Sequence, residues 1–332
     1  MSIILVFIGV LLSSTAVEFT GAQSVGVCYG GNGNNLPANK QVVIDLYKSN
    51  GIGKIRLFNP DDGALQALKN SNIEVILGIP NNVLQSLTNA QAAADWVNKN
   101  VKPYYPSVKI KYIAVGNEIH ANSPEASSVL PALQNIQNAI TSSNLGQIKV
   151  STAIDTTLIG KSYPPNDGAF SDGSVGYIRP IVNFLASNGL PLLANVYPYF
   201  AYANNQQNIG LDYALFTKQG NNEVGYQNLF DAILDSIYAA LEKVGGSNVK
   251  IVVSESGWPS EGGPGASAGN AGTYYGNLIK HAKGGTPKRP NGPIETYLFA
   301  MFDENQKGGA ETEKHFGLFR PDQSPKYQLS FN

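Results

Sequence analysis

The sequence predicts a single-domain (β/α)8 TIM barrel, and three observations carry that expectation. Eight short apolar runs recur along the 332 residues, amphipathic stretches separate them, and no composition break or linker divides the chain. The runs span residues 24–30, 54–59, 74–80, 110–118, 149–155, 190–199, 250–259 and 295–304. Most are continuous in Val, Ile, Leu, Ala or aromatic residues, as strands covered on both faces should be. Between them apolar residues step by three and four, most clearly at Val42-Val43-Leu46-Tyr47, Ala92-Ala93-Trp96-Val97 and Leu229-Ile233-Ile237-Leu241, the spacing of one helix face. Pro37, Asp61 and Ser123-Pro124 read as helix starts, and Gly51, Gly189 and Gly245 as stops. Eight such units point to a closed barrel. The runner-up, a doubly wound open sheet, needs a Gly-rich phosphate turn after an early strand. Tyr29-Gly30-Gly31-Asn32-Gly33-Asn34 does not follow the dinucleotide fingerprint, and the second run closes on Leu57-Phe58-Asn59 without the acidic partner.

Residues 1–22 read as a secretory signal: an apolar run over 3–12 leads to a small-residue cleavage site at Gly21-Ala22-Gln23. The mature domain is then 23–332, with an N-terminal Gln23 that can cyclise. No later stretch approaches the ~20 apolar residues that span a bilayer. Hydrophobic residues make up 42% and charged residues 14%, with 23 Lys+Arg against 24 Asp+Glu and no long block of either sign. That balance argues against an electrostatic hold on nucleic acid or an anionic membrane. Seventeen tyrosines, with frequent Asn and Gln, suit a neutral polyhydroxylated ligand. The single cysteine, Cys28, sits in Val25-Gly26-Val27-Cys28-Tyr29 and reads as a small core residue. No Cys or His cluster offers a metal site, and no cofactor is expected. Of the three histidines, His120 follows Glu118 closely, while His281 and His315 lack triad-like or metal-like partners.

In such a barrel the reacting groups lie at the C-terminal ends of the strands. The fourth run ends Ala114-Val115-Gly116-Asn117-Glu118 and the seventh contains Val253-Ser254-Glu255-Ser256-Gly257-Trp258-Pro259. Two carboxyl groups across the barrel mouth suit glycosidic cleavage, in which one protonates the leaving oxygen while the other attacks the anomeric carbon or activates water. Either Glu alone would more often be a solvated strand-end acid. The adjacent Asn117 and the rigid Gly-Trp-Pro after Glu255 favour a paired role.

These strings, with Leu193-Ala194-Asn195-Val196-Tyr197-Pro198-Tyr199-Phe200, Phe302-Asp303-Glu304-Asn305-Gln306-Lys307 and Phe316-Gly317-Leu318-Phe319, resemble the plant β-1,3-glucanases of glycoside hydrolase family 17, the pathogenesis-related glucanases. The resemblance covers essentially everything after the signal. It implies a retaining (β/α)8 endo-hydrolase of β-1,3-glucan, with Glu118 as acid/base and Glu255 as nucleophile. It also implies that Asn117 bonds the sugar hydroxyl beside the anomeric carbon, and that Glu304, Lys307 and Glu313 orient or charge-stabilise the site, with a cation helping to hold the nucleophile ionised. Tyr29, Asn195, Tyr197, Phe200, Trp258 and Phe302 are further expected substrate contacts, the aromatic rings as platforms for sugar C–H faces. Phe58 departs from the family's usual Tyr. The expected partner is β-glucan, and the protein is expected to be a monomer in the cell wall or apoplast, because vacuolar relatives carry a C-terminal extension. Expected roles are defence against fungal walls or turnover of the plant's own callose. Two alternatives stay open: a mixed-linkage β-1,3-1,4-glucanase, and a glucan-binding protein that has lost catalysis. A chitinase barrel is disfavoured by the absence of its run of alternating aspartates.

Overall fold

The computed structural model describes residues 24–331; the expected signal at 1–22 lies outside them. Eight parallel strands close into a barrel: β1 (Val25–Tyr29), β2 (Lys54–Leu57), β3 (Glu74–Ile79), β4 (Lys109–Asn117), β5 (Lys149–Ile154), β6 (Leu192–Asn195), β7 (Ile251–Ser256) and β8 (Thr296–Leu298). Each falls within or on its apolar run. Neighbours in sequence are neighbours in space, and β8 pairs with β1 through Val25↔Thr296 and Val27↔Leu298. Strands covered on both faces explain the continuous apolar runs, since barrel interior and helical shell both demand burial.

Helices Lys40–Ser49, Asp62–Leu68, Ala90–Asn100, Ala126–Ser142, Asp172–Ser187, Leu229–Lys243 and Ala268–His281 surround the barrel. Asp61 caps the second of these by accepting from the Ala64 amide at 3.0 Å. Asn39 rather than Pro37 caps the first. Gly51, Gly189 and Gly245 follow three helices with φ of 70°, 63° and 93°, the left-handed geometry that ends a helix with least strain on glycine. The eighth unit differs from the repeat. After β8 the described chain forms no α-helix; it is stitched back by Phe302↔Phe319 and Phe319↔Pro325 bridges, with Phe316, Leu318 and Phe331 buried along it.

Because side chains alternate along a strand, Lys54 and Arg56 of β2 share the inward face. Lys54 lies at the N-terminal end of the barrel, in an ion-pair cluster with Glu74, Lys111 and Glu295. Tyr112 and Tyr297 donate to the same Glu295 carboxylate at 3.0 and 3.2 Å. Arg56 sits one layer higher, towards the C-terminal rim.

Candidate active site

The rim of the barrel gathers one connected polar group. Glu255, from β7, is 6% exposed. Its Oε1 accepts from Arg56 Nη1 at 2.9 Å and from Asn195 Nδ2 at 3.0 Å, and its Oε2 accepts from the Tyr197 hydroxyl at 2.6 Å. A carboxylate so held has little freedom to rotate and a fixed positive charge beside it. Asn195, from the end of β6, also donates to Glu118 Oε1 at 2.8 Å. Its side-chain Oδ1 accepts from Arg56 Nη1 at 3.0 Å and from Ser254 Oγ at 2.7 Å. Since one nitrogen reaches both carboxyl groups, the two Oε1 atoms are within about 6 Å of each other, and the two acids face one another across a single side chain.

Glu118 is placed by an unusual backbone. Gly116 (φ 78°) and Glu118 (φ 52°) both turn left-handed, which swings β4 out of the ladder at the residue that must point into the barrel mouth. A Cβ on Gly116 would press on the side chains of Ile119 and Leu84. Asn81 braces the turn, its side chain accepting from the Asn117 amide and donating to the Asn117 carbonyl, each at 2.8 Å. The Glu118 amide bonds the Ala153 carbonyl at 2.8 Å. Burial, and secondarily the charge of Glu255, push the Glu118 carboxyl up to about 7. The pair is therefore differentiated: one carboxyl inclined to hold a proton near neutrality, the other clamped by a guanidinium.

The hollow above them encloses about 470 Å³ and is lined by both glutamates, Asn195, Tyr197, Phe200, Lys307 and Glu313, all expected from the sequence. Tyr197 and Phe200 are half-buried, with ring centroids 5.3 Å apart. Other expected contacts lie elsewhere. Trp258 is fully buried against Tyr199, Tyr202 and Tyr274, and its Nε1 donates to the Gly265 carbonyl at 2.9 Å. Gly-Trp-Pro thus anchors the core beside Glu255 instead of presenting a ring to the cleft. Tyr29 and Phe302, 5% and 3% exposed, pack edge to face on each other, so neither offers a free face for stacking. Glu304 is also buried; it accepts from the Asn32 amide at 2.8 Å, and a Cβ on Gly30 would collide with its carboxylate. Burial raises its pKa. Asn117 turns its Oδ1 inward, to Arg56 Nη2 at 2.7 Å. Lys307 pairs with Glu313 at 2.9 Å and lies over the Phe299 ring. The cation on Glu255 is Arg56, which sequence reasoning passed over.

Arg56 is 1% exposed and stacks against Phe58, 4.5 Å from guanidinium carbon to ring centroid. Its one sequence signal was a lone cation inside Ile55-Arg56-Leu57-Phe58, since an unpaired charge in a doubly covered strand would be prohibitively costly. Asp155 and Phe316 also line the hollow unforeseen. His120 stands back from it, bonded to Asp155 at 2.8 Å. Cys28 is fully buried, and burial lifts its thiol well above the ordinary range.

Residues 25–331 match the family described as Glycosyl hydrolases family 17. The chain belongs to that family. It is 60% identical over 339 residues to a glucan endo-1,3-beta-glucosidase of Vitis vinifera, spanning 99% of this chain and 97% of that one. It is 55% identical to an acidic isoform of the same enzyme from Nicotiana tabacum, GI9, spanning 99% and 96%. Among solved structures, CJP38, a beta-1,3-glucanase and pollen allergen of Cryptomeria japonica, superposes with a TM-score of 0.89 at 49% identity over 93% of this chain and 99% of that one. One of two plant beta-glucan endohydrolases with distinct substrate specificities gives 0.88 at 44% identity over 92% and 99%. Family 17 membership makes the protein a glycoside hydrolase.

Proposed function

We propose that the protein is a glucan endo-1,3-β-glucosidase that cleaves β-1,3-glucan with retention of configuration, Glu255 acting as nucleophile and Glu118 as acid/base. What supports the roles is the contrast between the two carboxyl groups, Arg56 Nη1 bonded to Glu255 while burial raises the proton affinity of Glu118; the single Asn195 amide bonded to both, which keeps their facing oxygens close, supports direct attack.

The chemistry follows in two balanced steps. Glu255 attacks the anomeric carbon as the glycosidic C–O bond breaks, and the leaving oxygen takes the proton of Glu118. The resulting ester no longer carries the Glu255 charge, which had been the second cause of Glu118's raised pKa. Glu118 becomes a stronger acid at the stage when its carboxylate must accept a proton from water. The water oxygen then attacks the anomeric carbon, Glu255 leaves as carboxylate, and Glu118 is reprotonated. Arg56 and the Tyr197 hydroxyl stabilise Glu255 as carboxylate at both ends of the cycle, and the Asn117 amide nitrogen is the donor left for the neighbouring sugar hydroxyl. Tyr197 and Phe200 supply aromatic surface beside the reacting ring. The apolar run at 3–12 supports secretion, which fits a polysaccharide substrate in the cell wall.

Proton NMR of laminarin digestion tests this reading. Early β-anomer in oligosaccharides of mixed length is expected, and Glu118→Gln or Glu255→Gln should abolish it. Early α-anomer would refute retention. Inertness to laminarin with cleavage of a mixed-linkage glucan would keep the chemistry and change the substrate.

A further inference from the structure

Behind the short helix Pro198–Asn204 lies a second groove of about 760 Å³. Ala201 borders both hollows, so this one helix is the partition between the groove and the cleft of Glu118 and Glu255. The groove has an apolar floor that includes Ile209, Leu229 and Ile233 and a polar rim with Tyr163, Asn205 and Asn208. Tyr163 is 56% exposed, the more exposed of the two large hydrophobic side chains that stand out from the described surface. Its hydroxyl is held by the Glu223 carboxylate. The Tyr213 hydroxyl, also at the groove, accepts from the nearby Asn222 Nδ2 at 3.3 Å.

These tethers fix the edges of two aromatic rings. A sugar that stacks on such a ring has little side-chain freedom to quench. Asn205 and Asn208, exposed on the rim, bond each other through Asn208 Nδ2 and Asn205 Oδ1 at 2.7 Å, which leaves the Asn205 Nδ2 donor and the Asn208 Oδ1 acceptor side by side for vicinal hydroxyls. The charged groups at the groove are Asp212 and Glu223 against Lys218, a near balance that favours neither a polyanion nor a polycation. Aromatic faces, amides and near-neutrality together fit an uncharged polyhydroxylated chain.

We propose that this groove is a holding site for a second stretch of the same glucan chain on which the cleft acts, an inference that rests on the glucanase reading. A polymer long enough to cross the partition engages both sites, while a short oligosaccharide occupies only the cleft. The test is Tyr163→Ala with Asn208→Ala, both exposed positions whose truncation spares the core. kcat/KM on laminarin should fall about three- to tenfold, the worth of one lost stacking contact, while kcat/KM on laminaripentaose stays within about twofold. In non-denaturing gels containing laminarin, Glu118→Gln protein should be retarded more strongly than the same protein carrying the two groove substitutions. Equal losses on both substrates, or unchanged retardation, would overturn the holding site. Failure of the unsubstituted protein to cleave laminarin would overturn the glucanase reading, and the gel comparison would still decide the groove.

Discussion

Replacing Arg56 by Met should cost both stability and turnover, and by amounts the structure lets one work out. The substitution keeps the length of the stem but removes the guanidinium that donates to Glu255 Oε1, Asn195 Oδ1 and the Ser254 carbonyl through Nη1, and to Asn117 Oδ1 through Nη2, at 2.7 to 3.0 Å. Glu255 is then a buried carboxylate without its counter-charge. Removing one partner of a buried pair costs about 3–5 kcal/mol. At about 2.1 cal/mol/K of unfolding entropy per residue, a domain of roughly 300 residues loses about 5–8 °C in Tm. Turnover should fall about 100-fold, because three of the released acceptors help position the nucleophile and its neighbours. Differential scanning calorimetry and laminarin kinetics check both numbers. A double-mutant cycle sharpens the test: Arg56→Met with Glu255→Gln should recover at least about 2 kcal/mol relative to the sum of the single changes, since the orphaned charge is gone. An Arg56→Met protein with Tm within about 1 °C of the parent, the size of a minor surface effect, and with unchanged kcat would refute the reasoning.

Other expectations follow from the same geometry. The alkaline limb of kcat/KM against pH should fall near the Glu118 value of about 7, because loss of its proton removes the general acid. The same group has a stability signature: its folded pKa lies above the ordinary 4.5, so its contribution, up to about 3 kcal/mol, is fully present below pH 4.5 and lost as pH rises through 7; Glu118→Gln should flatten Tm against pH across that window. Tyr197→Phe removes the 2.6 Å bond to Glu255 Oε2, a charge-assisted hydrogen bond of about 1.5–3 kcal/mol, and should lower kcat by about 10- to 100-fold while KM for laminaripentaose changes little. Trp258→Ala should destabilise by about 3–5 kcal/mol on thermal unfolding, as loss of a buried ring does; a rise in KM with Tm unchanged would instead return Trp258 to the cleft.

The barrel was legible because its signals are local and repeated. Each apolar run needed only its own residues to announce a strand, and Gly51, Gly189 and Gly245 marked helix ends through a backbone geometry that belongs to one residue type. The carboxyl pair was legible because strand ends face the mouth whatever the loops do. What the sequence concealed was direction. Tyr197 and Trp258 each follow a strand closely and both looked like sugar platforms; the chain turns one towards Glu255 and packs the other beneath Tyr199, and no pattern within either string separates those outcomes. Arg56 was hidden for a related reason. Its partners come from β4, β6 and β7, up to 199 residues away along the chain, so its role exists only once the barrel has closed. The missing eighth helix was equally illegible, since the bridges Phe302↔Phe319 and Phe319↔Pro325 join residues that no local pattern pairs.

The left-handed turn at Glu118 carries a consequence for anyone improving this protein. An L-residue other than glycine, or to a lesser degree asparagine, gives up about 1–2 kcal/mol in that conformation, and the Asn81 brace and the Ala153 carbonyl keep it there. Relief is one substitution away. A library ranked by heat resistance alone should therefore enrich Glu118→Gly and Glu118→Asn among its winners, selecting robust molecules that have discarded the proposed proton donor. Screening for turnover must accompany any search for durability, because here the shortest route to a tougher fold passes through the residue proposed to donate the proton.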